Sequence, residues 1–550
     1  MPARVFMTNK INCTKGQHLK EANRRNQATI RSLAAFAATV LSFTVHSSAA
    51  THYVSQTSPN PTPPYSTPET AAHNIQAAVG VATDGDTVLV APGDYGVTNQ
   101  ITVTNAVRLQ STGGASQTFL TGYGNTWCLW ISNALAAADG FTLRRGTGYP
   151  NGAVLVGGTI QNCNFTNFYV GEPGGAIVMN GGTVSNVIVT YYRAPGGAAV
   201  YCSDSGLITD SQILGNAKAN AGGTAIALVN SRLQNSVISG VPSPGKVTGV
   251  AVSALSSTVV GCTISNNYSQ GAGGGAYLQD SLMDRCIVTG NIAGGSDLGF
   301  GGGGIFETNS VIRNSLIVSN RVTGASAEPT YGGLGGGVYM QGGALLNCTV
   351  SGNSTSEYDT SLPGGGGGVF AESGGITNCI IYFNSLDLDR ASSNWFNLGP
   401  AIFDHCCAAP DPGGAGNIMQ DPQFTDLANR NYHVASSSPC IGAGVLQPWM
   451  TGAQDLDGNP RTSGGSVDIG AYQNPSSARS MLSIARSGSN LVLRWPCAGT
   501  AGLVLETQYG DVTAPENWMP IKSTVTDDGT NKSLTIPATN SSQLFRLWKQ

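Results

Sequence analysis

The chain has 550 residues, a formal net charge of −4 and only 11% charged side chains, against about 25% in ordinary soluble domains. Its 74 glycines are near twice the usual share of roughly 7%. This balance lacks the Lys and Glu that solvate helical faces, suits many short strands joined by tight turns, and offers no basic stripe for nucleic acid.

Residues 1–50 read as an export signal. Lys10, Lys15, Lys20, Arg24, Arg25 and Arg31 precede an apolar run over 33–45, and Ser48-Ala49-Ala50 follows as a small-x-small cleavage site. The run is shorter than the ~20 residues that span a bilayer. A buried helix of the mature protein is the competing reading, and it leaves the cationic lead unexplained. The expected location is secreted, extracellular or cell-surface.

From 51 to 416 the dominant signal is a repeat. Aligned on one position, Cys163, Val187, Ser211, Ser236, Cys262, Cys286, Ser315, Cys348 and Cys379 are spaced by 24, 24, 25, 26, 24, 29, 33 and 31 residues. Three residues before this column lie Val184, Ile208, Leu233, Val259, Met283, Ile312, Leu345 and Ile376; two residues after it lie Val189, Ile213, Ile238, Ile264, Val288, Ile317, Val350 and Ile381. Apolar columns flanking a small one alternate as half-buried strands do. Asn recurs one residue before the Cys position and five residues after it, where its tolerance of left-handed geometry suits a bend and its amide can bond the amide one coil away. Gly175, Gly197, Gly223, Gly249, Gly275, Gly304, Gly337 and Gly368 mark another corner, where a positive φ is expected. The pattern predicts an all-β chain: a right-handed parallel β-helix solenoid with coils ~4.8 Å apart. Leucine-rich repeats share the period but need an L-x-x-L-x-L run that is missing.

The Cys column reads as stacked, buried, weakly hydrophobic thiols, with disulfides or a metal ladder as the alternatives. If a disulfide exists, Cys406 or Cys407 with Cys440 is the better candidate.

At the start of the solenoid, the amphipathic stretch 71–82 leads into Asp84-Gly85-Asp86-Thr87-Val88-Leu89-Val90-Ala91-Pro92-Gly93-Asp94-Tyr95. This resembles the opening of pectin-lyase-like β-helix proteins, in which a capping helix precedes the first coil; Asp84, Asp86 and Asp94 read as turn formers. Residues 417–473 break the period. Their sequence of Asp421-Pro422-Gln423-Phe424, Asn431-Tyr432-His433-Val434, Ser438-Pro439-Cys440-Ile441-Gly442-Ala443-Gly444, Asp455-Leu456-Asp457-Gly458-Asn459-Pro460-Arg461 and Val467-Asp468-Ile469-Gly470-Ala471-Tyr472 resembles the choice-of-anchor Q module, which implies attachment at a cell surface and closure of the helix. After a linker at 474–478, alternating strands over 480–550 predict a small immunoglobulin- or fibronectin-like β-sandwich.

Chemistry is weakly marked. No G-x-S-x-G, H-E-x-x-H, Walker loop or paired C-x-x-C is present. The pectin-lyase-like resemblance implies polysaccharide lyases and glycoside hydrolases. A lyase needs clustered cations and a base, yet the cations of the coils share no register. A glycosidase needs two acids ~5–9 Å apart. Asp204 and Glu372 read as one column, with Glu307 one register step away, each expected as a solvated strand residue.

The clearest clue is that coils lengthen after Asn291, Asn320 and Asn353, so three insertions should leave one corner and stack. They carry Asp297, Glu328, Tyr331, Glu357, Tyr358 and Asp359, with Trp395 a coil later. Acids interleaved with aromatics suit a glycan or Ca2+-bridged groove; solvated loops without function are the competing reading. Glu328, Glu357 and Asp359 are the candidate catalytic acids. Asp455, Asp457 and Asn459 resemble a calcium loop in part, but the glycine comes too early, so a turn competes with Ca2+ there. Tyr277, Phe306, Tyr339 and Phe370 form a column that is either a ladder stabilising the coils or an external sugar platform. The glycine-cornered repeat is also similar to that of polymorphic outer-membrane proteins, which implies adhesion. The expected function is a secreted or surface β-helix that binds a polysaccharide or cell-surface glycan; the alternative is a polysaccharide lyase or glycoside hydrolase.

Overall fold

The computed structural model describes residues 48–123, 127–144, 154–169, 175–193, 197–215, 223–241, 249–295, 301–324, 334–355, 365–386, 394–474, 482–496, 503–509, 518–528, 531–538 and 543–549. The 1–47 segment lies outside them. Among the described residues no helix is long and apolar enough to cross a membrane.

The body is a parallel β-helix. A coil such as that from Ala276 contains four strands, Ala276–Gln279, Leu282–Asp284, Ile287–Thr289 and Ile292–Gly295. The first two belong to a 24-stranded sheet of two faces, the third to a 13-stranded sheet and the fourth to a short 5-stranded one. Pairing is parallel and in register from coil to coil. Met283 lies over Ile312, Ile312 over Leu345 and Leu345 over Ile376, and the Val288–Ile317–Val350–Ile381 column does the same. Every member of these two columns is fully buried, so the inward residues of each coil pack only once neighbours are stacked on it.

The residue before the Cys position turns left-handed in every described coil from Asn162 to His405. It is usually Asn, but Asp210, Gly261, Arg285 and His405 adopt the same geometry. The Cys column itself is a thiol stack: the Cys262 N–H points at Cys286 Sγ at 3.5 Å, and the Cys348 N–H at Cys379 Sγ at 3.4 Å. The ten described cysteines are free and buried, and desolvation pushes the Cys163 thiol up to about 12. Cys406 points into the core, bonding the Ile376 carbonyl. Cys407, on the outer face, packs instead against Cys440.

Two expectations about the corners are corrected. The Asn five residues after the Cys position is not the left-handed residue; that conformation belongs to its predecessor, as at Asn266, Gly290 and Ser319. The Asn is instead buried and forms a ladder. Asn267 Nδ2 donates to Asn291 Oδ1 at 2.8 Å, Asn291 to Asn320 at 2.9 Å, Asn320 to Asn353 at 3.0 Å and Asn353 to Asn384 at 2.9 Å. The column from Gly275 to Gly368 likewise lacks positive φ, which falls two residues earlier at Gly273, Gly302 and Gly335. Glycine is required there by space: a Cβ on Gly304 would sit 2.7 Å from the Gly337 carbonyl and 2.9 Å from Asn320 Nδ2.

The first coil is covered as the capping stretch predicts. A helix at Ile75–Val81 buries Ile75, Ala78 and Val79, and the Asn74 side chain caps it by accepting the Ala77 N–H. Asp86 accepts from the Thr83 N–H at 2.7 Å, as a turn former does, but Asp84 accepts the Ala106 N–H of the next coil at 2.8 Å, and Asp94, inside the strand Gly93–Val97, pairs with Arg144 at 2.7 Å. At the other end Ile418 bridges to Cys407. The segment beyond runs back along the solenoid. Tyr432 packs on Leu316 and Val318, Asn347 Nδ2 donates to the Asp468 carbonyl at 3.1 Å, and Asn378 exchanges two bonds with the Val445 backbone. Inside the segment, fully buried Arg461 donates to the carbonyls of Asp468 and Gly470. Residues from Ser483 to Lys549 form two antiparallel sheets around Leu493, Trp495, Leu505 and Leu534, a small β-sandwich.

Candidate functional site

The face carrying strands such as Ala276–Gln279, Ile305–Thr308, Val338–Leu346 and Val369–Thr377 sits next to the corner from which the insertions leave. The strands preceding them stack in register, Ile292 over Arg321, Arg321 over Ser354 and Ser354 over Ser385. Two successive coils meet again in a parallel bridge between Gly301 and Leu334. Ile292–Gly295, Arg321–Gly324 and Ser354–Thr355 are therefore strands, and the excursions begin after them. Asp297, Glu328, Tyr331, Glu357, Tyr358 and Asp359 fall outside the described residues.

On this face the outward column holds stacked rings. Tyr277–Phe306, Phe306–Tyr339, Tyr339–Phe370 and Phe370–Phe396 have centroids 5.2, 4.9, 5.0 and 5.4 Å apart. The near-parallel rings occupy each other's faces, which makes the column a ladder that ties coils together. It ends upward at Tyr277, whose register partner is the small Ser253, leaving one ring face without an aromatic neighbour.

Midway along, the ladder meets a carboxylate that spacing did not single out as a site. Ala371 pairs with Met340 and Ser373 with Gln341, so Glu372 is the extra residue of a β-bulge. Alternation after outward Phe370 and inward Ala371 points its half-buried side chain outward. Tyr339 Oη donates to Glu372 Oε1. Gln341 Nε2 donates to Glu372 Oε2 at 3.3 Å, and Thr308 Oγ1 to Gln341 Oε1 at 3.4 Å. Burial first, then the Glu372 carboxylate, push the Tyr339 phenol well above its ordinary value, so it serves as a donor and not as a base. The cluster offers a carboxylate, an amide and a hydroxyl beside ring edges, the groups that bond sugar hydroxyls.

Glu307 is the opposite case. It is not a solvated strand residue but points into the solenoid in the column of Leu278 and Met340, with no exposed surface. Its Oε2 accepts the Ser310 N–H at 2.8 Å while Oε1 has no partner, and burial pushes its carboxyl up to about 8. It is a neutral core acid at pH 7. Asp204 occupies a left-handed turn, and it does not share a column with Glu372.

Trp395 pairs with Val369 in the inward register, packs on the core and donates from Nε1 to the Pro410 carbonyl at 2.9 Å. Asp455 is buried and spends its carboxylate on the backbone N–H groups of Asp457, Asn459 and Gln473 at 3.0, 2.7 and 2.7 Å. Asp457 reaches His433 instead, at 2.7 Å. This geometry is that of an Asx turn, and among the described residues no group of three metal-ligating side chains forms.

No family model matches the chain, and no curated protein matches it. Solved structures similar to it include the pectate lyase Pel9A, at 15% identity over 78% of this chain and 97% of that one, with a TM-score of 0.36. A PL6 alginate lyase complexed with a trisaccharide is 15% identical over 66% of this chain and 88% of that one, at 0.37. The catalytic domain of a GH87 α-1,3-glucanase is 10% identical over 59% and 67%, at 0.32. Likenesses at these values carry no argument about activity.

Proposed function

We propose that this chain is an exported β-helix that engages an extended polysaccharide along its ladder face. The observation that carries the reading is the bulge residue Glu372, an outward carboxylate beside Tyr339 and Gln341 partway along the aromatic stack. From Tyr277 to Glu372 is three coil steps of ~4.8 Å, about 14 Å, a span that suits an oligosaccharide stretch rather than one sugar, while Tyr339 and Phe370 are themselves buried within the stack. Ca2+ bridging a carboxylate to the glycan belongs to the same proposal. The signal-like leader supports a location outside the cell. The resemblance of 417–473 to a choice-of-anchor Q module supports surface attachment.

Electrophoresis of the mature protein through gels containing pectin, alginate, xylan or neutral glucans tests this. At least one polymer should retard the wild type and retard Glu372→Ala or Gln341→Ala less. Equal mobility in every gel contradicts it.

Cleavage of the bound polymer is the second reading, favoured by the same bulge-borne carboxylate, with Glu328, Glu357 or Asp359 as its partner acid. New reducing ends or unsaturated uronates, abolished by Glu372→Gln and by one of Glu328→Ala, Glu357→Ala or Asp359→Ala, would establish an enzyme.

A further inference from the structure

A second polar recess lies at the other end of the molecule, where the capping helix meets the first coil. It is a half-open cleft of about 430 Å3 lined by residues including Gln56, Asn74, Gln76, Asn99 and Gln100, within the roughly 300–1,000 Å3 of small-ligand sites. Four of these amides are each anchored by one end. Asn74 Oδ1 accepts the Ala77 N–H at 2.9 Å, and Gln76 Oε1 accepts the Thr102 N–H at 2.7 Å. Gln56 Nε2 donates to the Asp94 carbonyl at 2.9 Å, and Gln100 Nε2 to Thr102 Oγ1 at 3.3 Å.

Anchoring fixes which end remains. Asn74 and Gln76 keep NH2 donors, Gln56 and Gln100 keep carbonyl acceptors, and Asn99 carries both. Side chains already held in place lose little freedom when a ligand arrives. The lining contains no Lys, Arg, Asp or Glu, and its one histidine, His73, has Nε2 tied to the Ser58 carbonyl at 2.8 Å, so amides outnumber charged groups there. At its rim the exposed Tyr123 ring lies against Gly96, where a Cβ would come within 3.2 Å of it.

We propose that this cleft binds a neutral sugar unit. Alternating hydroxyls match fixed donors and acceptors, and the Tyr123 ring offers an apolar surface for a pyranose. The site stands apart from the ladder face and does not depend on the function proposed there.

The test is saturation-transfer NMR and titration calorimetry on the mature chain with glucose, mannose, galactose, xylose and cellobiose, and with glucuronate as the charged control. At least one neutral sugar should bind with a Kd of about 1 mM, and Asn99→Ala and Gln76→Leu should each weaken it about tenfold. Gln100→Ala serves in place of Gln76→Leu if thermal melting shows that variant unfolded. Glu372→Gln should leave this binding unchanged. No saturable signal for any neutral sugar, binding indifferent to the cleft substitutions, or glucuronate bound as tightly as its neutral counterpart would each overturn the proposal.

Discussion

Glu372 accepts the hydrogen bond of the Tyr339 phenol from the strand one coil earlier, and it is the unpaired bulge residue between Ala371 and Ser373. Ring and carboxylate thus have separable duties, and two substitutions divide them. Tyr339→Phe keeps the stack on Phe306 and Phe370 while deleting the hydroxyl. Its stability should stay within about 1 kcal/mol of wild type, with polysaccharide retention reduced. Phe306→Ala removes a ring from the middle of the stack and should cost about 3 kcal/mol. Urea unfolding alongside gel retardation reads both.

The Asn ladder is the strongest polar element of the core. Asn320 donates from Nδ2 to the Val288 carbonyl and to Asn353, and accepts at Oδ1 from Asn291's backbone and side chain. Asn320→Ala strands buried donors and acceptors in the coils above and below, at about 1–3 kcal/mol for each group left unpaired. Denaturant midpoints should show a loss of about 3 kcal/mol or more. A variant as stable as wild type would mean that the neighbouring amides re-pair.

Glu307 gives the protein a pH dependence of definite sign. Its folded value of about 8 lies above the ordinary glutamate value of 4.5, so the native state holds the proton more tightly than the unfolded chain does. Its contribution is full below the unfolded value and is lost progressively as pH rises from near 4.5 through about 8. Glu307→Gln removes that titration while keeping a neutral polar group in place. The stability gap between variant and wild type should therefore widen in the variant's favour from pH 5 to pH 9, by up to about 4 kcal/mol. Guanidinium titrations at both pH values measure it; a gap that stays constant contradicts a buried neutral acid.

The thiol column should be chemically silent. Cys163, Cys286, Cys348 and Cys379 are fully buried, which keeps them out of reach of a reagent. Iodoacetamide should leave these four unmodified in the native state and alkylate them once the chain is unfolded, as peptide mass mapping would show. Labelling of any of the four before unfolding would place it elsewhere than in the core.

The stacking was legible because identical inward positions impose identical residue types: the Val, Ile, Leu and Met of two columns, and the small Cys or Ser between them, are written into the period itself. The glycine column was visible but not its reason, since a Cβ clash with the Gly337 carbonyl belongs to the next coil. The bulge left no trace in spacing. From Val338 to Leu345 and from Val369 to Ile376 the chain counts the same number of residues, because Gly342 and Gly343 stand against the single Gly374 and so offset the extra Glu372. The return of 424–472 along the solenoid was equally hidden: Asn347 meets Asp468, and Ala471 meets Thr349, more than a hundred residues apart.

The placement of the glycan on the ladder face can be read directly by hydroxyl-radical footprinting of the mature protein, with and without the polymer that retards it. Protection of Tyr277, Phe306, Gln341 and Glu372, and none on the opposite faces at Ile188 or Val237, is the predicted result. Protection confined to those other faces, or no change anywhere at saturating polymer, would contradict it.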